Sequence, residues 1–201
     1  MRDPSDAEDI EQVERFLAGD VQGFEVLFDK YREKVYRVAY RFLRNKEDGL
    51  EVTQEVFLRV YQNLPKFKTN SKFFTWLYRI TVNRSIDFTR SRKARPVREM
   101  DGSTLEQLER SSADHRSAPD PVAQAQETEL EEKLAIAVGR LSESHRAVFL
   151  LHAKENLSYK EIAQVVDCSL GTVMSRLFYA RKKLAEHLAE LGVECPNPKE
   201  P

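Results

Sequence analysis

Cysteine is almost missing from this chain. Cys168 and Cys195 are the only two, they lie far apart, and neither belongs to a paired motif. That excludes a disulfide framework and a thiolate zinc site, and it suits a reducing compartment, so a cytoplasmic location is expected. The four histidines, His115, His145, His152 and His187, show no metal-ligand spacing, so no metal is expected. There is no phosphate loop, no dinucleotide fingerprint and no nucleophile motif. Neither a cofactor nor catalysis is expected. Long apolar runs are missing too: nothing approaches the roughly 20 residues that cross a bilayer. The start, MRDPSDAEDIEQ, is polar and acidic, so neither a secretory leader nor membrane insertion is expected. Finally, charge of one sign is lacking. The net charge of -1 rules out a uniformly basic nucleic-acid coat.

What is present is uneven. From Arg84 to Arg98 the chain carries Arg84, Arg90, Arg92, Lys93, Arg95 and Arg98 against one acid, Asp87. From Glu99 to Glu132 it turns acidic, with Arg110 and Arg116 opposing ten carboxylates. Cations return at Arg176, Arg181, Lys182 and Lys183. Two basic patches with an acidic spacer suggest two DNA-contacting modules. A solvated helix face beside a flexible tether gives the same charge pattern.

Apolar residues recur at helical spacing throughout. Ile10, Val13 and Leu17 mark a first helix ending near Gly19, with Asp20 placed to cap the next. Phe24, Leu27, Phe28, Tyr31, Val35, Val38, Ala39 and Phe42 give a long second helix. Val52, Val56, Phe57, Val60 and Leu64 give a third, stopped by Pro65. Phe73, Trp76, Leu77 and Ile80 give a fourth. No strand-like alternation or hairpin turn occurs, so the expected class is all-α. The length suits two small helical domains: residues 5–91, a flexible acidic linker over 92–127, residues 128–191, and a disordered tail over 192–201.

The segment SYKEIAQVVDCS at 158–169, followed by LGTVMSRLFYARKKL, reads as a helix-turn-helix. Ser158 and Glu161 have capping-box spacing. Ser169 offers an N-cap hydroxyl to the second helix. There Val173, Leu177, Ala180, Leu184 and Leu188 point inward. Thr172, Met174, Ser175, Arg176, Phe178 and Tyr179 are left on the outer face and its shoulders, where a major groove would meet them. An ordinary helical hairpin with a basic face would share the pattern.

Around the fourth helix, Phe67, Phe74, Trp76 and Tyr78 interleave with Lys66, Lys68, Lys72, Arg79 and Arg84. Flat rings beside cations are what unpaired bases need. Phe73, Trp76 and Ile80 share one stripe and read as core. Phe67, in a loop, and Asn83, past the stripe, are the better candidates for bases.

Five motifs in order, GDVQGFEVLFDKY, TQEVFLRVY, FFTWLYRITVNRSIDFTR, RLSESHRAVFLLH and LSYKEIAQVVDCSLGTVMSRLFYARKKL, resemble an extracytoplasmic-function (ECF) sigma factor of bacterial RNA polymerase. The resemblance covers most of the chain. It implies that residues 5–91 are sigma region 2, which docks on the polymerase clamp helices and opens the −10 element. Asp48, Glu51, Gln54 and Glu55 would face polymerase. Phe67, Lys68, Asn70, Asn83, Arg84 and Asp87 would contact −10 DNA, with Arg90, Arg92, Lys93 and Arg95 on backbone phosphates. Residues 128–191 would be sigma region 4, touching the polymerase flap. It would read the −35 element through Thr172, Met174, Ser175, Arg176, Phe178 and Tyr179. Core polymerase, promoter DNA and an anti-sigma factor are the partners implied. Leu50 stands where relatives carry a carboxylate, and Met174 and Tyr179 where many carry cations. A one-component helix-turn-helix regulator would explain residues 157–184 but not the aromatic and Asn cluster. A decoy would bind polymerase without reading DNA.

Overall fold

A computed structural model describes residues 4–68, 71–94 and 121–193. Eight α-helices account for nearly all of them, and no strand occurs among the described residues. Helices α1 (Pro4–Leu17), α2 (Gln22–Leu43), α3 (Lys46–Asn63) and α4 (Phe73–Ala94) form the first bundle. Helices α5 (Pro121–Arg140), α6 (Glu143–Ala153), α7 (Tyr159–Val165) and α8 (Leu170–Glu190) form the second.

The bounds follow from local chemistry. Asp20 accepts from the Gln22 amide at 3.0 Å and pairs with Arg15 at 2.6 Å, which fixes the α1–α2 corner. Gly23 lets the two helices close: a Cβ there would sit 2.9 Å from the Phe16 nitrogen. Arg44, in the left-handed region at φ 56°, returns its amide to Tyr40 and ends α2. Asn45 then caps α3 by accepting from the Asp48 amide. After α3, Pro65 sits in a 3-10 turn, Leu64–Lys66, as a residue without an amide proton should. In the second bundle Ser158 and Glu161 make the complete capping box, and Ser169 caps α8 through the Thr172 amide at 3.1 Å.

Two bounds differ from those expected. Helix α4 runs on to Ala94, past the expected domain edge at residue 91, and α5 begins at Pro121, inside the expected linker. Proline suits the first helical position, because its missing amide proton is not needed there. The stretch around it carries no apolar stripe, so its helicity was not visible as periodicity.

Two cores result. The first gathers Val13, Leu27, Tyr31, Val35, Val52, Val56, Val60, Leu64, Phe73 and Leu77. The second gathers Leu151, Ile162, Val165, Val173, Leu177, Leu184 and Leu188, and it also takes Val38 and Phe42 from α2 and Tyr78 and Val82 from α4. The second bundle therefore closes its core on the first. Phe28, expected to point inward, stands at the surface, its ring edge-on to Phe57 at 4.7 Å.

Arg146 shows how tightly the bundles join. Among the described residues no carboxylate forms an ion pair with this buried cation; it donates to the carbonyls of Phe42 (3.0 Å), Leu141 (3.2 Å) and Gly139. Those carbonyls end α2 and α5, where helix dipoles favour positive charge. Burial pushes the guanidinium pKa down. Replacing Arg146 with Met keeps the bulk but orphans the carbonyls. We expect a loss of about 1–3 kcal/mol in chemical denaturation; an unchanged midpoint would show that water replaces the guanidinium at no cost.

Candidate nucleic-acid interface

Helix α4 carries the largest group of candidate residues, and its surroundings decide what each can do. Asn83 is exposed and lies past the apolar stripe, as expected. It lines a crevice of ≈ 390 Å³ shared with Arg90 on α4, Ser142, Glu143 and Ser144 at the start of α6, and Arg176 on α8. Asp87 and Lys68 are exposed. The aromatic candidate of the preceding loop is placed differently. Phe67 is buried, with its ring 5.2 Å from Trp76 and 5.8 Å from Phe73. It belongs to the core, because the 3-10 turn aims it inward, and it offers no free face to a base. Asn70 and Arg95, and the side chain of Lys93, lie outside the described residues.

The arginines of α4 are all engaged with acids. Arg84 pairs with Glu55, Arg90 with Glu143 at 2.8 Å, and Arg92 with Asp48. A second pocket of ≈ 320 Å³ is lined by Asp48, Glu51, Glu55, Arg84, Phe88, Ser91 and Arg92. It joins three of the four α3 residues expected to face polymerase to two of the α4 residues expected to face DNA. The fourth, Gln54, is exposed on the same helix between Leu50 and Leu58, which are 47% and 58% exposed. Leu50, Gln54 and Leu58 fall at intervals of four, one uncharged row beside the acids. The sequence reading named the acids and missed Leu58, although its spacing from Gln54 was available.

In the second bundle the turn between α7 and α8 passes through Asp167 at φ 51° and a half-buried Cys168. Inward Val173, Leu177, Ala180, Leu184 and Leu188 are all buried. Met174, Phe178 and Tyr179 are each about half exposed, at 50%, 50% and 52%. Thr172 and Arg176 are half-buried, and Ser175 is exposed. The outer face of α8 is thus open, while the shoulder carrying Arg176 turns to the crevice.

A polar seam that sequence reasoning missed runs between the bundles. Glu155, just after α6, pairs with Arg41 of α2 and accepts from the Tyr78 hydroxyl at 2.9 Å. Lys72 donates to Glu161 at 3.0 Å, and Arg79 pairs with Asp167 at 3.0 Å. Burial, then the neighbouring Glu155 charge, pushes the Tyr78 hydroxyl pKa up. The Glu161 hydrogen bond raises Lys72. Burial would raise Glu161, but its bonds to Ser158 and Lys72 outweigh that and hold it down.

Comparison with known proteins identifies the arrangement. The Sigma-70 region 2 family matches residues 27–95, and the Sigma-70 region 4 family matches residues 132–184. The chain is 33% identical over 186 residues to the RNA polymerase sigma-H factor of Pseudomonas aeruginosa, covering 92% of this chain and 95% of that one. It is 34% identical to the ECF RNA polymerase sigma-E factor of Escherichia coli K12 (86% and 90% covered) and 31% identical to SigW of Bacillus subtilis (90% and 96%). This chain is an ECF sigma factor. Two solved structures share the fold. CnrH in complex with the cytosolic domain of CnrY has a TM-score of 0.65 at 22% identity, over 91% of this chain and 98% of that one. RpoE from Bartonella quintana, in complex with the anti-sigma factor NepR, has 0.63 at 21%, over 84% and 98%. No described helix of this sigma factor is long and apolar enough to cross a membrane.

Two outcomes check this geometry. Glu155→Arg sets a cation against Arg41 and should part the bundles. Small-angle scattering should then show the radius of gyration rising above the about 17 Å of a compact chain of this length; an unchanged radius would mean the apolar contact holds alone. Glu55 tests the α3–α4 pocket. Its hydrogen bond to Arg84 depresses its pKa. Its stabilisation is therefore complete above the ordinary carboxylate range and is lost as pH falls through the lowered folded value. The stability gap between the native chain and Glu55→Gln should narrow over that acid window and stay constant from pH 6 to 8.

Proposed function

We infer that this sigma factor binds core RNA polymerase through the α3 face, brings it to particular promoters, and opens their −10 element with α4. Region 4 reads the −35 duplex with α8 and meets the polymerase flap. It works in the cytoplasm as an initiation factor without enzymatic activity of its own. An anti-sigma factor is a fitting partner, since the relatives of like fold, CnrH and RpoE, are bound to CnrY and NepR in their solved structures.

The observation that carries the reading is the pairing of two readers on one frame. Asn83, with both a donor and an acceptor, stands exposed on a helix lined with arginines. A capped helix-turn-helix faces outward beside it. One element suits an extruded base and the other suits duplex, which is what an opening promoter presents together. A regulator of duplex DNA alone has no use for the first.

The closed arrangement also constrains the mechanism. Asn83 and Arg176 line the same crevice. The −10 and −35 elements are separated by about 25 base pairs, or about 85 Å of duplex at 3.4 Å each. The two bundles therefore part before both elements are held. Residues 95–120 join them, and a stretch of that length spans at most about 90 Å at 3.3–3.6 Å per residue, enough for the task. On separation the carboxylates Glu143 and Glu155 leave Arg90 and Arg41, and Arg90 is freed for phosphate.

Replacing Asn83 with Ala should lower open-complex formation about tenfold, read by permanganate reactivity of −10 thymines, while affinity for core polymerase changes less than twofold. Equal losses in both would remove Asn83 from base recognition. Normal opening would place the reader elsewhere on α4.

A further inference from the structure

The outer face of α8 is built from apolar side chains. Leu170, Met174 and Phe178 stand at intervals of four, each 40–50% exposed, and Tyr179 packs edge-on to Phe178 at 5.4 Å. The polar side chains among them already have partners within the helix. The Thr172 hydroxyl lies 2.8 Å from the Ser169 hydroxyl that caps the helix, and the Ser175 hydroxyl donates to the Thr172 carbonyl at 3.1 Å. Arg176 is turned to the crevice. Arg176 aside, the row from Leu170 to Phe178, which begins on the turns that reach base edges in this motif, presents methyl, thioether and ring surface.

Cations follow further along. Arg181, Lys182 and Lys183 are exposed on the later turns of α8, and Lys160 is exposed on α7. A polyanion is the partner that suits an apolar row flanked in this way: the lysines and arginine take phosphates, and the row enters the groove between them. In a major groove the apolar feature is the thymine C5-methyl.

We propose that Leu170, Met174 and Phe178 determine −35 specificity by packing on thymine methyl groups, so that this sigma factor selects duplex by its methyl pattern. Met174 sits at the centre of the row. Its unbranched thioether adapts to the methyl it meets, and Phe178 is held in place by the Tyr179 ring. Guanine O6 and N7 have no charged partner within the row itself, so a guanine facing the row contributes little. The proposal rests on the sigma-factor reading above.

The test uses the full chain with core polymerase. A −35 library upstream of a fixed −10 element is selected for transcription, and each thymine of the selected element is then replaced by deoxyuridine, which removes only the methyl. One or two positions should lose about fourfold in promoter binding per methyl removed. With Met174→Ala, thymine and uracil at the central position should bind alike, while affinity for core polymerase is unchanged, as expected for a half-exposed side chain. Met174→Arg should transfer the preference at that position from thymine to guanine. Transcription from selected promoters with no uracil effect at any −35 position overturns the proposal and leaves the sigma-factor reading intact. A selection that yields no core-dependent transcript overturns the reading on which it rests.

Discussion

Helix α4 has to satisfy two cores at once, and the rest of the structure follows from that constraint. Phe73 and Leu77 close the first core, while Tyr78 and Val82, a part-turn away, close the second. A helix buried on two sides has only a narrow strip left for solvent. Asn83 and Asp87 occupy that strip. The residue proposed to read DNA and the residues packed against region 4 thus share a few turns of one helix.

The contact between the bundles is of mixed character, and the mixture bears on function. Its apolar part, from Val38 and Phe42 to Ala147 and Leu150, favours closure in the way that any buried surface does. Its polar part is a set of half-exposed ion pairs, such as Lys72–Glu161 and Arg79–Asp167. Pairs of this kind are worth little in water and can be exchanged for phosphate at small cost. The interface is therefore poised for replacement by a polyanion or a charged protein surface. Arg146 is the exception. Its three carbonyl partners belong to both bundles, and parting them strands the Phe42 carbonyl unless water or a partner serves it.

Much of this was legible in the sequence. The all-helical class, the inner faces of α3 and α8 and both serine caps of the helix-turn-helix follow from spacing, because periodicity reports burial directly. Periodicity does not report what a residue is buried against. Val38 and Phe42 looked like first-domain core, yet they serve the second. Phe67 looked like a base platform because it lies in a loop off the apolar stripe, but a turn too short to show any period aims it at Trp76. The arginines of α4 looked free, since their partners Glu55, Asp48 and Glu143 lie 29, 44 and 53 residues away. Glu155 carried no sequence signal, being one acid among many until Arg41 and Tyr78 are set beside it.

The measurement that tests the central claim most directly is transcription in vitro from sheared genomic DNA, using purified bacterial core polymerase with and without this chain. The account predicts discrete 5′ ends that require both proteins and share −35 and −10 sequences. Tight duplex binding by the chain alone, with no new 5′ ends, would contradict it and make the protein a regulator that works without polymerase.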